Sequence, residues 1–140
     1  MKSIILALLI LVQFNHYAQS GEVKNFYENK VIKEILNYSN GKLHGNVFYF
    51  SPSGILKEKF IFENGILNGE FAIYHPNGVL SETGTYENGM IEGDYRTFYE
   101  RGELKSVYQL SNGKKTGTGF EYFPNGNLKS KAEFKNDEPH

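Results

Sequence analysis

The chain has 140 residues, enough for one domain, and its 15 lysine and arginine residues are balanced by 16 aspartate and glutamate residues. This balance gives no reason to expect a nucleic-acid partner, because nucleic-acid binding is driven by clustered positive charge. The absence of cysteine excludes disulfides, thiolate chemistry and cysteine-bound zinc. Aromatic residues make up 15% of the chain, which is too many for a disordered tail.

Residues 1–20 are predicted to be a cleavable secretory signal. Lys2 is followed by an uninterrupted apolar run over residues 4–12, and a helix of that length spans only about half of a ~30 Å hydrocarbon core. The run is therefore too short for a membrane anchor, whereas a basic start, a short apolar run and small residues before the cut are typical of an export signal. Cleavage is expected between Ser20 and Gly21. We therefore expect an exported protein in the periplasm, in the cell envelope or outside the cell.

After this segment the sequence repeats with a fixed period, equal to the distance from Gly41 to Gly65. The Asn-Gly dipeptides that end at Gly41, Gly65, Gly89 and Gly113 are each followed by two further glycines at fixed distances, so that three sets of glycines recur with the same period. A fixed period of this size indicates a repeat architecture, in which each unit buries its apolar face against its neighbours. The three sets are Gly41, Gly65, Gly89 and Gly113, then Gly45, Gly69, Gly93 and Gly117, then Gly54, Gly78, Gly102 and Gly126.

The period also divides the chain into units. Residues 21–40 are predicted to be an N-terminal half repeat, because Phe26 and Ile32 match the second half of a unit. Four full repeats are expected to follow, and residues 137–140 are expected to form a tail. The four repeats are residues 41–64, 65–88, 89–112 and 113–136.

Each unit is predicted to be one β-hairpin. Asn-Gly favours the left-handed dihedral angles of a two-residue hairpin turn, and a Pro-x-Gly segment in three of the units predicts a second turn. The unit 89–112 has Glu100-Arg101-Gly102 at that place, so its turn is expected to be the weakest. Segments of about eight residues rich in Phe, Tyr, Ile and Val lie between the turns. We expect an all-β fold of tandem 24-residue hairpins forming an elongated, largely single-layer, antiparallel twisted sheet, without a helix after residue 30.

One face of this sheet is predicted to be apolar and the other polar and solvent-exposed, because apolar and polar positions alternate along the strands. Each unit carries an aromatic residue and a leucine at fixed positions, and lysines recur between them. The aromatic column is Phe50, Tyr74, Phe98 and Tyr122, the leucine row is Leu56, Leu80, Leu104 and Leu128, and the two lysine rows are Lys57, Lys105 and Lys129, and Lys59 and Lys131.

Two surfaces are candidates for binding. The aromatic column, widened by Tyr99 and Phe123, offers a stacking platform for a partner protein. The alternative is that its rings only exclude water from the sheet itself. The lysine rows offer contacts for an anionic membrane surface or a cell-wall polymer, and the alternative is a solvated face that prevents edge-to-edge aggregation. The candidate binding residues are Tyr99, Phe123, Tyr74, Lys57, Lys105 and Lys129.

No catalytic, cofactor or metal site is predicted. His44 and His75 occupy different positions of different units, so their spacing does not indicate a metal pair. Glu58 and Glu82 occupy the same position of neighbouring units and would lie roughly 10 Å apart across two strand spacings. Residues repeated with the units more simply serve solubility and cross-strand pairing. We therefore do not expect an enzyme.

The segment ENGILNGEFAIYHPNG, residues 63–78, resembles the MORN repeat, specifically the bacterial MORN-repeat variant group that includes YwqK-type antitoxins. The resemblance covers residues 25–136. It implies an array of β-hairpins without catalysis, used as a platform for proteins or membranes, and it supplies no transferable binding residue. Three functions are compatible with it: an exported protein-binding scaffold, an envelope-located antitoxin or immunity-like protein, and a binder of anionic lipid or cell-wall polymer.

Overall fold

The computed structural model describes residues 20–139, so the predicted signal lies, apart from Ser20, outside the described residues. These residues form 13 antiparallel strands in one open sheet, and no helix occurs among them. Apart from the short strands β3 and β6, which pair with β2 and β5, strands that are neighbours in the sheet are also consecutive along the chain, as in a continuous meander. The predicted all-β, single-sheet architecture is confirmed.

The strand bounds follow the period of the sequence. The strands are β1 (Gly21–Phe26), β2 (Ile32–Ser39), β3 (Lys42–Leu43), β4 (Gly45–Phe50), β5 (Leu56–Glu63), β6 (Ile66–Leu67), β7 (Gly69–Tyr74), β8 (Leu80–Glu87), β9 (Met90–Phe98), β10 (Leu104–Ser111), β11 (Lys114–Tyr122), β12 (Leu128–Lys135) and β13 (Glu138–Pro139). In the earlier units one strand is interrupted at His44 (β3 and β4) and at Asn68 (β6 and β7). The corresponding strands β9 and β11 of the later units run without a break.

The Asn-Gly dipeptides form the predicted two-residue turns. At the first, Ser39 pairs directly with Lys42, and Asn40 and Gly41 lie between them with φ of 50° and 75°. Positive φ at both central residues is the geometry whose twist matches that of the flanking strands. The last turn uses Asn136 and Asp137, with φ of 53° and 73°, and leads into β13, which pairs with β12.

The second turn of each unit keeps its geometry even where the proline is missing. The amide of Gly54 donates to the carbonyl of Ser51 at 2.8 Å, and the amide of Gly102 donates to the carbonyl of Tyr99 at the same distance. In the Pro-Asn-Gly turn of the preceding unit, Asn77 Oδ1 also accepts from the amide of Val79 at 3.0 Å. Arg101, which replaces that asparagine, has no side-chain oxygen to do so. The relative weakness of this turn stays a prediction.

Residues 21–40 contain both strands of a hairpin. β1 pairs with β2 along its whole length, from Gly21 opposite Tyr38 to Phe26 opposite Ile32. Gly21 has φ of 113°. The spacing from Gly21 to Gly45 equals the spacing from Gly45 to Gly69, so Gly21 also belongs to the repeating glycines. The first unit is therefore structurally equivalent to those that follow.

The best-buried apolar side chains lie in the middle of the strands. Val47 is 0% exposed and Phe71 is 3% exposed, and the Phe71 ring lies between those of Phe60 at 6.2 Å, Tyr86 at 4.9 Å and Tyr95 at 6.4 Å between centroids. We call Phe60, Phe71, Tyr86 and Tyr95 the aromatic cluster. The predicted column through Tyr74 is only half-buried. It lies next to the turns, where a ring has neighbours on fewer sides.

Candidate binding surface

The first lysine row coincides with a β-bulge in each hairpin. In the hairpin of β4 and β5, Tyr49 pairs with Glu58 and Phe50 pairs with Leu56, so that Lys57 is an extra residue without a partner across the strand. A bulge of this kind re-aims the side chain of the extra residue and locally increases the twist. Alternation along the sequence therefore identified an exposed lysine but not the backbone irregularity that exposes it.

The same extra residue occurs in all five hairpins. Four of the five are exposed lysines, and one is a half-buried serine. Successive units lie two strand spacings apart, roughly 10 Å. We call these residues the bulge row; they are Lys33, Lys57, Ser81, Lys105 and Lys129.

A further repeated feature links the second turns of neighbouring units. The hydroxyl of Tyr27 donates to the carbonyl of Phe50 at 2.7 Å, and the hydroxyl of Tyr99 donates to the carbonyl of Tyr122 at 2.8 Å. His75 makes the equivalent contact through Nε2, which lies 3.0 Å from the carbonyl oxygen of Phe98. We call the residues at this position the turn ladder; they are Tyr27, Ser51, His75, Tyr99 and Phe123.

Ser51 interrupts the turn ladder. Its hydroxyl is too short to reach the next unit and instead lies 2.8 Å from the hydroxyl of Ser53 in the same turn. A cavity of about 310 Å³ opens beside it. The cavity brings together two of the predicted binding residues, Lys57 and Tyr74, and we call it the Ser51 cavity. Its lining also includes Tyr27, Ile55 and Pro76.

The cavity beside Tyr99 is smaller, and it shares three lining positions with the Ser51 cavity, those of Ser51, Lys57 and Tyr74. A cavity of only about 90 Å³ remains, and it brings Tyr99 together with Lys105 and Lys129, three of the predicted binding residues. Lys105 Nζ lies 5.7 Å from the centroid of the Tyr99 ring, and Lys129 Nζ lies 3.4 Å from Glu121 Oε2. Because Tyr99 is half-buried and hydrogen-bonded to the backbone, it has a structural contact of its own; its role in binding stays a prediction.

Phe123 differs from the other members of the turn ladder. It belongs to the last full unit, has no polar atom on its ring and is 47% exposed. Its backbone makes the turn in the usual way, with the amide of Gly126 donating to the Phe123 carbonyl at 2.9 Å. The predicted binding residues therefore fall into two separate neighbourhoods, Lys57 with Tyr74 and Tyr99 with Lys105 and Lys129, and Phe123 lines neither cavity.

A row of polar side chains crosses the sheet from β1 to β12, each member paired directly with the next on the adjacent strand. All its members except Ile73 are polar, and only the repetition of Glu58 and Glu82 was recognised from the sequence. The row is made of two positions of the repeat, that of Tyr49 and that of Glu58, which alternate from strand to strand. Pairing these two positions would have predicted the row. The row consists of Asn25, Glu34, Tyr49, Glu58, Ile73, Glu82, Thr97, Ser106, Glu121 and Ser130.

Hydroxyls in and beside this row donate to two of its carboxylates. Tyr95 donates to Glu82 at 2.5 Å, and Tyr108 donates to Glu121 at 2.7 Å. Burial, followed by the charges of Glu34 and Glu58, raises the pKa of Tyr49, which lies between them. The hydrogen bond from Tyr108 lowers the pKa of Glu121.

These groups are arranged for structure more than for chemistry. Ile73 separates Glu58 from Glu82 along the row, at the place where a pair of hydrolytic carboxylates would need substrate and water. Within residues 20–139, no group of three or more histidine, cysteine, aspartate or glutamate side chains is placed to hold a metal ion. His44 Nδ1 accepts from the amide of Asn64 at 3.4 Å, so this histidine links the break between β3 and β4 to the next Asn-Gly turn.

A polar, open groove crosses the later strands. It has a volume of about 510 Å³ and is lined by residues of β7 to β11, including Glu70, Glu92 and Arg96. Arg96 forms an ion pair with Asp94 within it. In the part of the chain from residue 20 to residue 139, no helix is long and apolar enough to cross a bilayer.

Comparison with known proteins agrees with the geometry of the hairpins. A family model described as MORN repeat variant matches five consecutive segments, residues 19–40, 43–65, 67–88, 91–112 and 115–136. The first matched segment includes the hairpin of β1 and β2, in agreement with the complete first unit of the structure. No curated protein matches the chain.

Proposed function

The chain belongs to the MORN repeat variant family, and on this premise we propose that it is an exported, non-catalytic scaffold that binds another protein. Repeat proteins of this family commonly bind protein or membrane and are generally non-catalytic. Their hairpins stack in one direction and build an extended surface, which suits the recognition of a large partner.

The observation that carries the proposal is the uncovered face of the sheet. The aromatic cluster stands on a sheet that is not closed, and no second layer packs against it within residues 20–139. Among the apolar side chains described, only Val47, Phe71 and Tyr108 are buried. Apolar surface left open in this way is the usual mark of an interaction site.

Several large apolar side chains are about half exposed. Ile66 and Met90 follow the Asn-Gly turns of consecutive units, and the side chain of Ile66 approaches within 3.7 Å of where a Cβ of Gly89 would lie. Exposed apolar side chains therefore recur beside the Asn-Gly turns of two consecutive units. The exposed set in residues 20–139 is Phe26, Ile66, Met90, Phe123 and Leu128.

The proposal is tested by capturing partners of the chain from the envelope of its own cell and reconstituting the complex from purified components. Ile66→Ser combined with Met90→Ser is expected to weaken binding at least tenfold without lowering the melting temperature, because both side chains are exposed. The matched control is Lys114→Ser, at the same repeat position of a later unit. Failure of the purified chain to bind any envelope protein would remove the support for a scaffold.

A second candidate function is supported by the bulge row. Four exposed lysines recur in line at the same position of their hairpins, and the spacing of roughly 10 Å per unit suits an anionic membrane surface or cell-wall polymer. Binding through them would fall steeply between low salt and 0.5 M salt, since exposed charges are screened within about 10 Å at 0.1 M ionic strength. Sedimentation with anionic vesicles, against the variant in which all four lysines are serine, separates this function from protein binding.

An envelope-located antitoxin or immunity-like protein would use the same protein-binding surface. The identity of the captured partner decides between the two: a toxin whose activity is abolished by stoichiometric addition of the chain supports the immunity role, whereas a structural envelope component supports the scaffold.

A further inference from the structure

The Ser51 cavity is a place in the repeat from which an aromatic side chain is missing. We infer that it binds a tyrosine side chain supplied by the partner protein, with the ring in the position that Tyr99 occupies two units later. This inference rests on the proposed function, since it names the chemistry of the partner at one site on the scaffold.

The turn ladder defines what the site would accept. Tyr27, His75 and Tyr99 each place a ring against the next unit, and each ring meets the carbonyl oxygen of the residue 23 positions later. The equivalent carbonyl for Ser51 is that of Tyr74, which lines the cavity. No side chain of residues 20–139 donates a hydrogen bond to it. A phenol hydroxyl entering the cavity would therefore find an acceptor already in position.

Lys57 supplies a second, independent feature. It stands six residues after Ser51, as Lys105 stands six residues after Tyr99, and Lys105 Nζ lies 5.7 Å from the Tyr99 ring. A lysine ammonium over an aromatic face is attracted by the ring quadrupole. Lys57 also lines the cavity and forms no ion pair with the described carboxylates. The site thus has the cation for a ring but not the ring.

The size and lining of the cavity fit a single ring. Its volume of about 310 Å³ lies at the lower end of the ~300–1,000 Å³ range of ligand pockets. The space left beside Tyr99 is about 90 Å³, as expected if the Tyr99 ring occupies part of the volume that Ser51 leaves open. Apolar surface from Tyr27, Ile55 and Pro76 provides the walls.

The probe for this site is N-acetyl-tyrosinamide, titrated into the full ¹⁵N-labelled chain. Saturable shifts are expected for the amides of Ser51, Ile55 and Lys57. N-acetyl-phenylalaninamide is expected to bind about threefold to tenfold more weakly, because it cannot donate to the Tyr74 carbonyl. Ser51→Tyr is expected to abolish the response and raise the melting temperature, since the chain would then fill the cavity itself.

Two further variants keep the test decisive. His75→Tyr exchanges one ring of the turn ladder for another and is the matched control, in which the response at Ser51 persists. Lys57→Met preserves the aliphatic stem but removes the cation, and it is expected to weaken the probe about twofold to fivefold.

Several results would overturn the inference. They are the absence of saturable shifts with N-acetyl-tyrosinamide, an unchanged response in Ser51→Tyr, or shifts at the same amides with N-acetylglucosamine alone, which would indicate a sugar site. If the captured partner binds the wild type and Ser51→Tyr equally, the site is wrong and the scaffold stands; if it binds neither, the proposed function fails.

Discussion

The ring of Tyr108 lies directly on the backbone of Gly119: a Cβ at Gly119 would be 2.5 Å from Cδ1 and 2.7 Å from Cε1 of that ring. Gly119 and Gly84 stand outside the repeating glycines, and neither has a positive φ. At Gly84, a Cβ would be 3.0 Å from Cε1 of Phe71. Both glycines are therefore needed for the space they leave, and the two best-buried rings lie in that space.

Gly119→Ala is expected to lower the free energy of unfolding by roughly 1–3 kcal/mol, the usual cost of overpacking. Urea denaturation would measure it. The cost should shrink in a Tyr108→Leu background, giving a coupling between two contacting residues. It should not vanish, because the new Cβ would also lie 2.9 Å from Cε2 of Phe134. Strictly additive effects of the two substitutions would contradict the steric role of Gly119.

The hydroxyl of Tyr108 is expected to make the protein less stable at alkaline pH. Burial, and then its hydrogen bond to Glu121, raise the pKa of Tyr108 to about 12, whereas a tyrosine in an unfolded chain ionises near pH 10. The neutral form is favoured in the folded state, so this contribution is complete below pH ~10 and is lost as the pH rises toward about 12. Spectrophotometric titration and denaturation across this window would measure it.

Glu121→Gln is the matched control for this titration, because it keeps the shape of the side chain and removes its charge. It should move the pKa of Tyr108 back toward the ordinary value. Tyr108→Phe should lose less stability than the wild type in the same alkaline window, because it has no hydroxyl to ionise there. An unchanged pKa of Tyr108 in Glu121→Gln would show that the hydrogen bond to Glu121 does not contribute to raising it.

The leucine row is expected to contribute unequally to stability. Leu80 is half-buried in the middle of the array, so Leu80→Ala should cost about 2 kcal/mol, at the low end of large-to-small substitutions. Leu128 is 54% exposed in the last full unit, and Leu128→Ala should cost less than about 1 kcal/mol. Lys105→Ala, on the exposed bulge, should change stability by no more than about 0.5 kcal/mol. Thermal unfolding of the three variants would test the order, and an equal cost at both leucines would refute it.

Restoring the turn of the unit 89–112 is expected to stabilise the protein. Glu100→Pro with Arg101→Asn would reproduce the Pro-Asn-Gly turn of residues 76–78, whose asparagine accepts from the amide of Val79. The backbone of this turn already makes the same hydrogen bonds, so a gain of about 0.4–1 kcal/mol is expected from the smaller entropy of the unfolded chain. The reverse change, Pro76→Glu with Asn77→Arg, should cost a similar amount. A destabilising effect of the restoring pair would show that the present turn differs from its neighbours.

Export is expected to remove the segment 1–20. The short apolar run and the small residues before the cut predict a mature protein that begins at Gly21. N-terminal sequencing or intact mass measurement of the protein from the cell envelope and the medium would establish the cleavage site. Recovery of the full-length chain in the cytoplasm would contradict export.

Much of the fold could be predicted from the sequence because its signals are local. Asn40-Gly41 and its repeats require positive φ at adjacent residues, and few residue types other than asparagine and glycine adopt that conformation easily. Repeating such a turn at a fixed interval determines where strands begin and reverse. The order of the hairpins follows, since each can pair only with its immediate neighbours in so short a connection.

Features of the binding surface depend on residues that meet only after folding. The extra residue at Lys57 exists because of how β4 and β5 register, and the Ser51 cavity exists because Tyr27 and Tyr74, from the flanking units, come to its two sides. The best-buried aromatic side chain is likewise Phe71 and not Tyr74 of the predicted column, because rings from both neighbouring strands, Phe60 and Tyr86, cover it. Sequence alone determined the turns and the hairpin array, because backbone dihedral preferences belong to single residues. The tertiary structure decided which side chains are buried and which cavities remain, because burial depends on what the neighbouring strands place against each residue.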